Sequence, residues 1–309
     1  METNNNREEK KSFIERYDIS PVTFGVISLI IIFISYDIVG GLLSYFVVDH
    51  SFQNTNPNIL RISQTLGQLI FLLIPTLLLA KLLPNNFKEI FKLNKISFTL
   101  GLWIMLSVLA LGPMCEIILL LQSQIPLPES LEVVLHQFKV TIEEAYKRLV
   151  YSNNISELGF VIVVIAIVPA LCEEFLFRGL LQHAFTYKLS AKKGIIITGL
   201  LFACFHFTPF SFIALAMIGV YLCFLVYRTN SIISSMLAHF TNNLIAVSVP
   251  YFLDRDDLVI DSANRVFTTG DIITLCLIFV ICLGVFIASL FMIFKNSAVV
   301  PPVETSVEG

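Results

Sequence analysis

Long apolar runs constrain this chain more than any other feature. They extend over about 22–48, 63–83, 97–121, 158–187, 194–210, 212–228, 231–252 and 271–294. Most exceed the ~18 residues that mark a membrane-spanning helix. A backbone in hydrocarbon must satisfy its own hydrogen bonds, and the helix does so within one segment. The expectation is an all-α integral membrane protein with about eight transmembrane helices. Composition agrees: of 309 residues, 56% are hydrophobic and 14% charged, whereas a soluble domain carries about 25% charge. That hydrophobicity also excludes a disordered chain. A net charge of −3 supplies no basic field for nucleic acid.

The organisation reads as a polar tail (1–20), one polytopic membrane domain (21–294) and a second tail (295–309), where Pro301 and Pro302 suggest disorder. The run after residue 20 is too long for a signal peptide. The connection 84–96 is basic and turn-prone. The connection 123–156 is long, and its apolar residues Leu131, Val134, Leu135, Phe138, Ile142, Ala145, Tyr146 and Leu149 recur at helical spacing. It predicts an interfacial helix between the third and fourth spans. Lys and Arg near the span ends divide 13 to 6 between the two sides. Arg61, Lys139, Lys147, Arg148, Arg255 and Arg265 form the smaller set. By the positive-inside rule both termini face the cytoplasm of a cell membrane, and a bacterial cytoplasmic membrane is the preferred setting.

Six cysteines (115, 172, 204, 223, 276 and 282) fall in or beside apolar runs with no CxxC pair. They read as small buried hydrophobes.

Charges within spans cost from about 2.5 kcal/mol upwards, so each is a functional candidate. Glu173, Glu174 and Arg178 interrupt the run 158–181. Glu174 and Arg178 are four residues apart and suit an ion pair, whereas Glu173 is turned about 100° away. It is a candidate base or metal ligand. His206 lies in the fifth segment, and His239 and Asn243 in the seventh. Counted from flanking cations, Glu173 lies about 22 Å deep, His206 about 20 Å and His239 about 16 Å. Three helices thus place polar groups at one level, as a single site would. Carboxylate and imidazole can activate water directly or hold zinc. Asn243 offers an amide to an oxyanion. Hydrolysis of an amide bond within the membrane is the chemistry these parts suggest.

Glu173-Glu174-x-x-x-Arg178, Phe202-x-x-x-His206 and His239-x-x-x-Asn243 together resemble the CPBP family. That family comprises intramembrane proteases like CAAX prenyl protease 2 and bacteriocin-processing enzymes, also called the Abi family. The resemblance covers roughly 155–250, which would be the catalytic core; the first three spans and the last carry no assigned motif. It implies an endopeptidase with a site open to the cytosol, acting on a membrane-associated or lipidated protein or peptide. By position it implies that Glu173 and His206 activate water. His239 and Asn243 would stabilise the oxyanion or serve as further zinc ligands, with Glu174 and Arg178 as a supporting pair. The family's chemistry is described both with zinc and with a metal-free glutamate, and the metal set would be Glu173, His206 and His239.

Other readings compete. No HExxH, GxGxxG or Walker loop occurs. Asp37 and Asp271 lie on distant segments and do not make an aspartyl dyad. Glu116 is a lone acid expected to be buried. His183 reads as packing, and His50 and His136 as loop residues. A proton-coupled transporter could use the same buried Glu, His and Arg, but no repeated halves are visible. A catalytically inactive scaffold is the remaining alternative. The sequence names neither substrate nor oligomeric state.

Overall fold

The computed structural model describes residues 11–47, 55–253 and 267–297. The reading of the tail beyond Ser297, and of His50, Arg255 and Arg265, falls outside the described residues. Helices dominate throughout. A short helix α1 (Phe13–Arg16) precedes α2 (Pro21–Val47), α3 (Pro57–Ala80), the turn-length α4 (Phe87–Ile90) and α5 (Phe98–Gln122). Then follow α6 (Glu129–Val150), α7 (Ile155–Lys188), α8 (Ala191–Phe205), α9 (Phe212–Thr229), α10 (Ile232–Phe252) and α11 (Thr269–Asn296).

The starts of these helices are local chemistry. Ser20, Asn56, Ser97, Asn154 and Thr268 each accept a hydrogen bond from an amide of the first turn, meeting donors that no helix can meet internally. Asp271 completes a reciprocal cap with Thr268: its Oδ2 accepts from the Thr268 amide at 3.0 Å and hydroxyl at 2.8 Å. Its place at a span edge is thereby explained.

Among the described residues, seven helices are long and apolar enough to cross a membrane. The expected fifth span falls short. α8 has 15 residues, about 22 Å of helix, against the ~20 residues that a span needs. It stops because the chain turns at Phe207, where φ is 51°, and Pro209 opens a 3₁₀ turn into α9. α8 and α9 are a hairpin, and their crossing is close because Gly199 faces Gly219. A Cβ on Gly219 would stand 2.6 Å from the Gly199 carbonyl oxygen. Small residues of this kind let backbones approach where lipid supplies no hydrophobic drive.

The second span begins earlier than the expected 63, at Pro57. Arg61 is therefore a helix residue and fully buried, not a loop charge. The expected amphipathic helix is α6. Its Leu131, Val134, Phe138 and Tyr146 remain exposed, and His136 is exposed on this helix rather than in a loop. Glu116 is exposed on α5, contrary to the buried position expected. Of the cysteines, all free, Cys115, Cys172 and Cys223 are buried, whereas Cys204 and Cys276 are exposed.

Contacts sort the connections into two ends. At one end Asn94 reaches the Asn230 carbonyl, His183 bonds Asn85 at 3.0 Å, and Arg228 bonds the Phe294 carbonyl at 2.8 Å. At the other, Arg61 meets the Leu149 carbonyl and Gln122 the Phe210 carbonyl. Lys92, in the first group, has its pKa lowered by burial.

α7 is the axis of the bundle. Its Cys172, Leu176, Phe177, Leu180 and Leu181 are wholly buried, packing with α2 and α3. A helix apolar on every side belongs in the interior. A second cluster joins α5, α9, α10 and α11. Among the described residues four stretches are π-helical: Ile34–Gly40, Gln68–Leu73, Ile162–Ile167 and Phe175–Leu181. Two of them run up to Pro75 and Pro169, residues that cannot donate to the preceding turn.

Candidate active site

Two glutamates that are neighbours in sequence face different partners. Glu174 is fully buried on α7. Its Oε1 accepts from Arg178 Nη1 at 2.9 Å and from His239 Nδ1 on α10 at 2.8 Å. Arg178 is likewise buried. Its Nη2 donates to the Gly219 carbonyl on α9 at 3.1 Å, and its guanidinium lies 4.4 Å from the Phe202 ring centroid. A buried pair is tolerable only when further hydrogen bonds and good geometry accompany it, and the Gly219 carbonyl and Phe202 face supply them.

Glu173 points elsewhere. Its Oε2 is 3.9 Å from His206 Nε2 and 4.0 Å from His239 Nε2. Both distances exceed a direct hydrogen bond. Among the described residues, this buried oxygen has no hydrogen-bond partner. A polar atom left so in a native interior calls for a functional account.

The two imidazoles are oriented from behind. His206 Nδ1 lies 2.8 Å from the Phe202 carbonyl, which can only accept, so Nδ1 carries the proton and Nε2 offers a lone pair. His239 Nδ1 faces Glu174 in the same sense. Bonding one ring nitrogen thus fixes what the other presents. Phe202 serves all three groups: its ring meets His206 at 4.5 Å, His239 at 5.9 Å and the Arg178 guanidinium.

Asn243 lies apart from this cluster in its bonding. Its Nδ2 donates to the Ile165 carbonyl at 3.2 Å. In an α-helix that carbonyl would accept from residue 169, which is proline and has no N–H. The asparagine thus answers a gap made by Pro169, and its second N–H remains for other work. The sequence signal was there: an i,i+4 relation between Ile165 and Pro169, read together with an amide on a neighbouring helix. The role of the Gly219 carbonyl had no such signal.

The structure therefore brings together Glu173, His206 and His239, links Glu174, Arg178 and His239, and ties Asn243 to α7. His183 belongs to neither group, and its Nε2 meets Asn85. Carboxylate and two imidazoles are donor types that suit zinc. As arranged, however, no three His, Cys, Asp or Glu among the described residues form a group that could hold an ion.

Residues 155–245 match the family model described as Type II CAAX prenyl endopeptidase Rce1-like. The matched region is under a third of the chain and contains all three motifs, which bears out the resemblance to the CPBP family. No curated protein and no solved structure matches the chain.

Proposed function

We propose that this protein is an intramembrane endopeptidase in which Glu173 and His206 activate a water against a peptide bond. The family match supports a CAAX-protease-like membrane hydrolase acting on a protein or peptide. The observation that carries the finer reading is the placement of Glu173 Oε2, buried and about equally far from two imidazole nitrogens. One oxygen lying about 2.8 Å from each partner spans 3.9–4.0 Å when its two bonds make nearly a right angle. A water there has a base on either side.

In the reaction, the water oxygen forms a bond to the carbonyl carbon as its proton passes to Glu173. The C–N bond then breaks, and the departing nitrogen takes up that proton. His206, its Nδ1–H held by Phe202, receives the second water hydrogen at Nε2. The second N–H of Asn243 serves the oxyanion, joined by His239 Nε2 whenever that nitrogen carries a proton. Glu174 and Arg178 hold His239 and neutralise one another at a depth where an unpaired charge is costly. No step is routed through a metal ion. The Lys- and Arg-rich end faces the cytoplasm in this reading, with 155–250 as the catalytic core.

The test is cleavage in detergent of a prenylated CAAX peptide and a leader-type peptide by the wild type and Glu173→Gln. Metal analysis and chelator treatment should use the same sample. Cleavage by the wild type alone, surviving the chelator, is the expected result. Loss with chelator restored by zinc would return His206 and His239 to a metal-binding role. Proton flux in liposomes abolished by Glu173→Gln, without cleavage, would replace the protease by a transporter.

A further inference from the structure

The spans without an assigned motif bring three polar side chains together beside the site. Tyr36, in the π-helical stretch of α2, is set against the site by its ring, which lies on Phe205 beside His206. Gln64 Nε2 on α3 donates to the Tyr36 hydroxyl at 3.1 Å. Gln68, in the π-helical stretch of α3, contacts the same hydroxyl. Gln68 is 3% exposed, and two glutamines on adjacent turns of one apolar helix are costly unless they serve something. Both converge on a single phenol.

The arrangement has a direction. The Gln64 amide donates to the Tyr36 oxygen, so the hydroxyl's own hydrogen goes elsewhere. The ring cannot swing freely, because it stacks on Phe205 with centroids 6.3 Å apart and planes 10° from parallel. Phe205 immediately precedes His206. One α2 turn earlier, Phe33 meets Phe207 at 5.6 Å. This face of α2 therefore walls the site on both sides of His206.

We infer that Tyr36 is a further residue of the catalytic site, donating its hydroxyl hydrogen to the water held by Glu173 and His206, with Gln64 and Gln68 as its positioning residues. The inference rests on the proposed water-activating role of Glu173. A water has four tetrahedral directions. Its two hydrogens go to Glu173 and His206 Nε2. Tyr36 fills one lone pair, and the other is aimed at the carbonyl carbon. Tyr36 thus removes the water's freedom to rotate, the kind of positioning whose loss costs about 10²-fold in rate.

Tyr36→Phe deletes only the oxygen and keeps the Phe205 stack. It should lower kcat on the prenylated CAAX peptide or the leader-type peptide by about 10²-fold, with KM within about twofold and the melting midpoint unchanged. Gln68→Leu should lower kcat by about tenfold. The double variant should be no slower than Tyr36→Phe alone, because the glutamine acts only through the hydroxyl. Wild-type turnover in Tyr36→Phe, or losses that multiply in the double variant, would overturn the inference. A second readout needs no activity. With 3-fluorotyrosine at position 36 of the full chain, the fluorine resonance should shift on Glu173→Gln and stay fixed on Glu157→Gln. An unmoved resonance overturns the inference even if the wild type cleaves. If neither peptide is cleaved, the protease reading fails by itself while the fluorine result still decides whether Tyr36 and Glu173 share a site.

Discussion

Two buried arginines pair with glutamates at different places in this bundle, and only one pair has a carboxylate to spare beside it. At the end of α3, Arg61 donates to Glu157 Oε1 at 2.7 Å, to Asn58 at 2.7 Å, to the Leu149 carbonyl at 2.9 Å and to the Tyr151 carbonyl. The other Glu157 oxygen accepts from the Asn153 amide at 2.8 Å and side chain at 2.9 Å. Every donor has an acceptor, and the cluster ties the C-terminus of α6 to α3 and α7. An open cavity of about 640 Å³ adjoins it, yet Glu157, the carboxylate that lines it, is bonded at both oxygens. Around Arg178 the Glu174 pair is bonded less completely, with Glu174 Oε2 and Arg178 Nε unpaired, and Glu173 next to it keeps an oxygen in reserve opposite two imidazoles. Satisfied valence makes a staple, and withheld valence makes a site. Cavity size distinguishes them less well than this count of bonds.

That contrast can be broken by exchange. Glu173→Gln should reduce cleavage by about 10²–10⁴-fold and leave the melting midpoint within about 2 °C, because its oxygen anchors nothing. Glu157→Gln should do the reverse, keeping turnover per folded molecule within about twofold while lowering the midpoint. A thermal scan and a peptide assay on both variants decide it.

Arg178→Met removes the permanent cation from buried Glu174 and leaves it only His239, a loss of about 3–5 kcal/mol that should appear as a sharp fall in folded yield. Combining it with Glu174→Gln should recover the yield but not cleavage, since His239 Nδ1 loses its charged partner. Arg61→Met should cost about 3 kcal/mol, read as easier proteolysis between α6 and α7. Its cleavage rate per folded molecule should be unchanged. The smallest effect expected is that of Gly219→Ala, about 1–3 kcal/mol. Its new methyl meets the Gly199 carbonyl oxygen and forces α8 from α9. Because the Gly219 carbonyl also holds Arg178, this variant should lose stability and cleavage together, which Arg61→Met should not.

Much of this was legible in the residues. Charges inside apolar runs are rare enough that Glu173, Glu174, Arg178, His206 and His239 declared themselves, and depth counted from flanking cations set Glu173, His206 and His239 at one level. The Glu174–Arg178 pair and the outward turn of Glu173 followed from helical spacing, and both hold despite the π-helical stretch at Phe175–Leu181. Arg61 was misread because a helix start was sought at the apolar run, whereas Asn56 and Pro57 begin the helix two turns earlier. α8 was taken as a full span because Pro209 was counted within or beside it, although proline after a short helix ends it. Asn243 was read alone; its partner is a carbonyl that only Pro169 on another helix sets free. Tyr36 and Gln64 were invisible because they meet between two helices, 28 residues apart in sequence, and no spacing within α2 or α3 alone points to that meeting.

The short reach of α8 has a consequence for supply. Backbone that leaves the helical state in hydrocarbon must lie against protein or water, and here it does so at His206 itself. A peptide-bond hydrolase in oil is starved of its second reactant unless some boundary dips inward. In a hydrolase of the kind proposed, a rod that stops early carries such a boundary down with it, towards the imidazole at its tip.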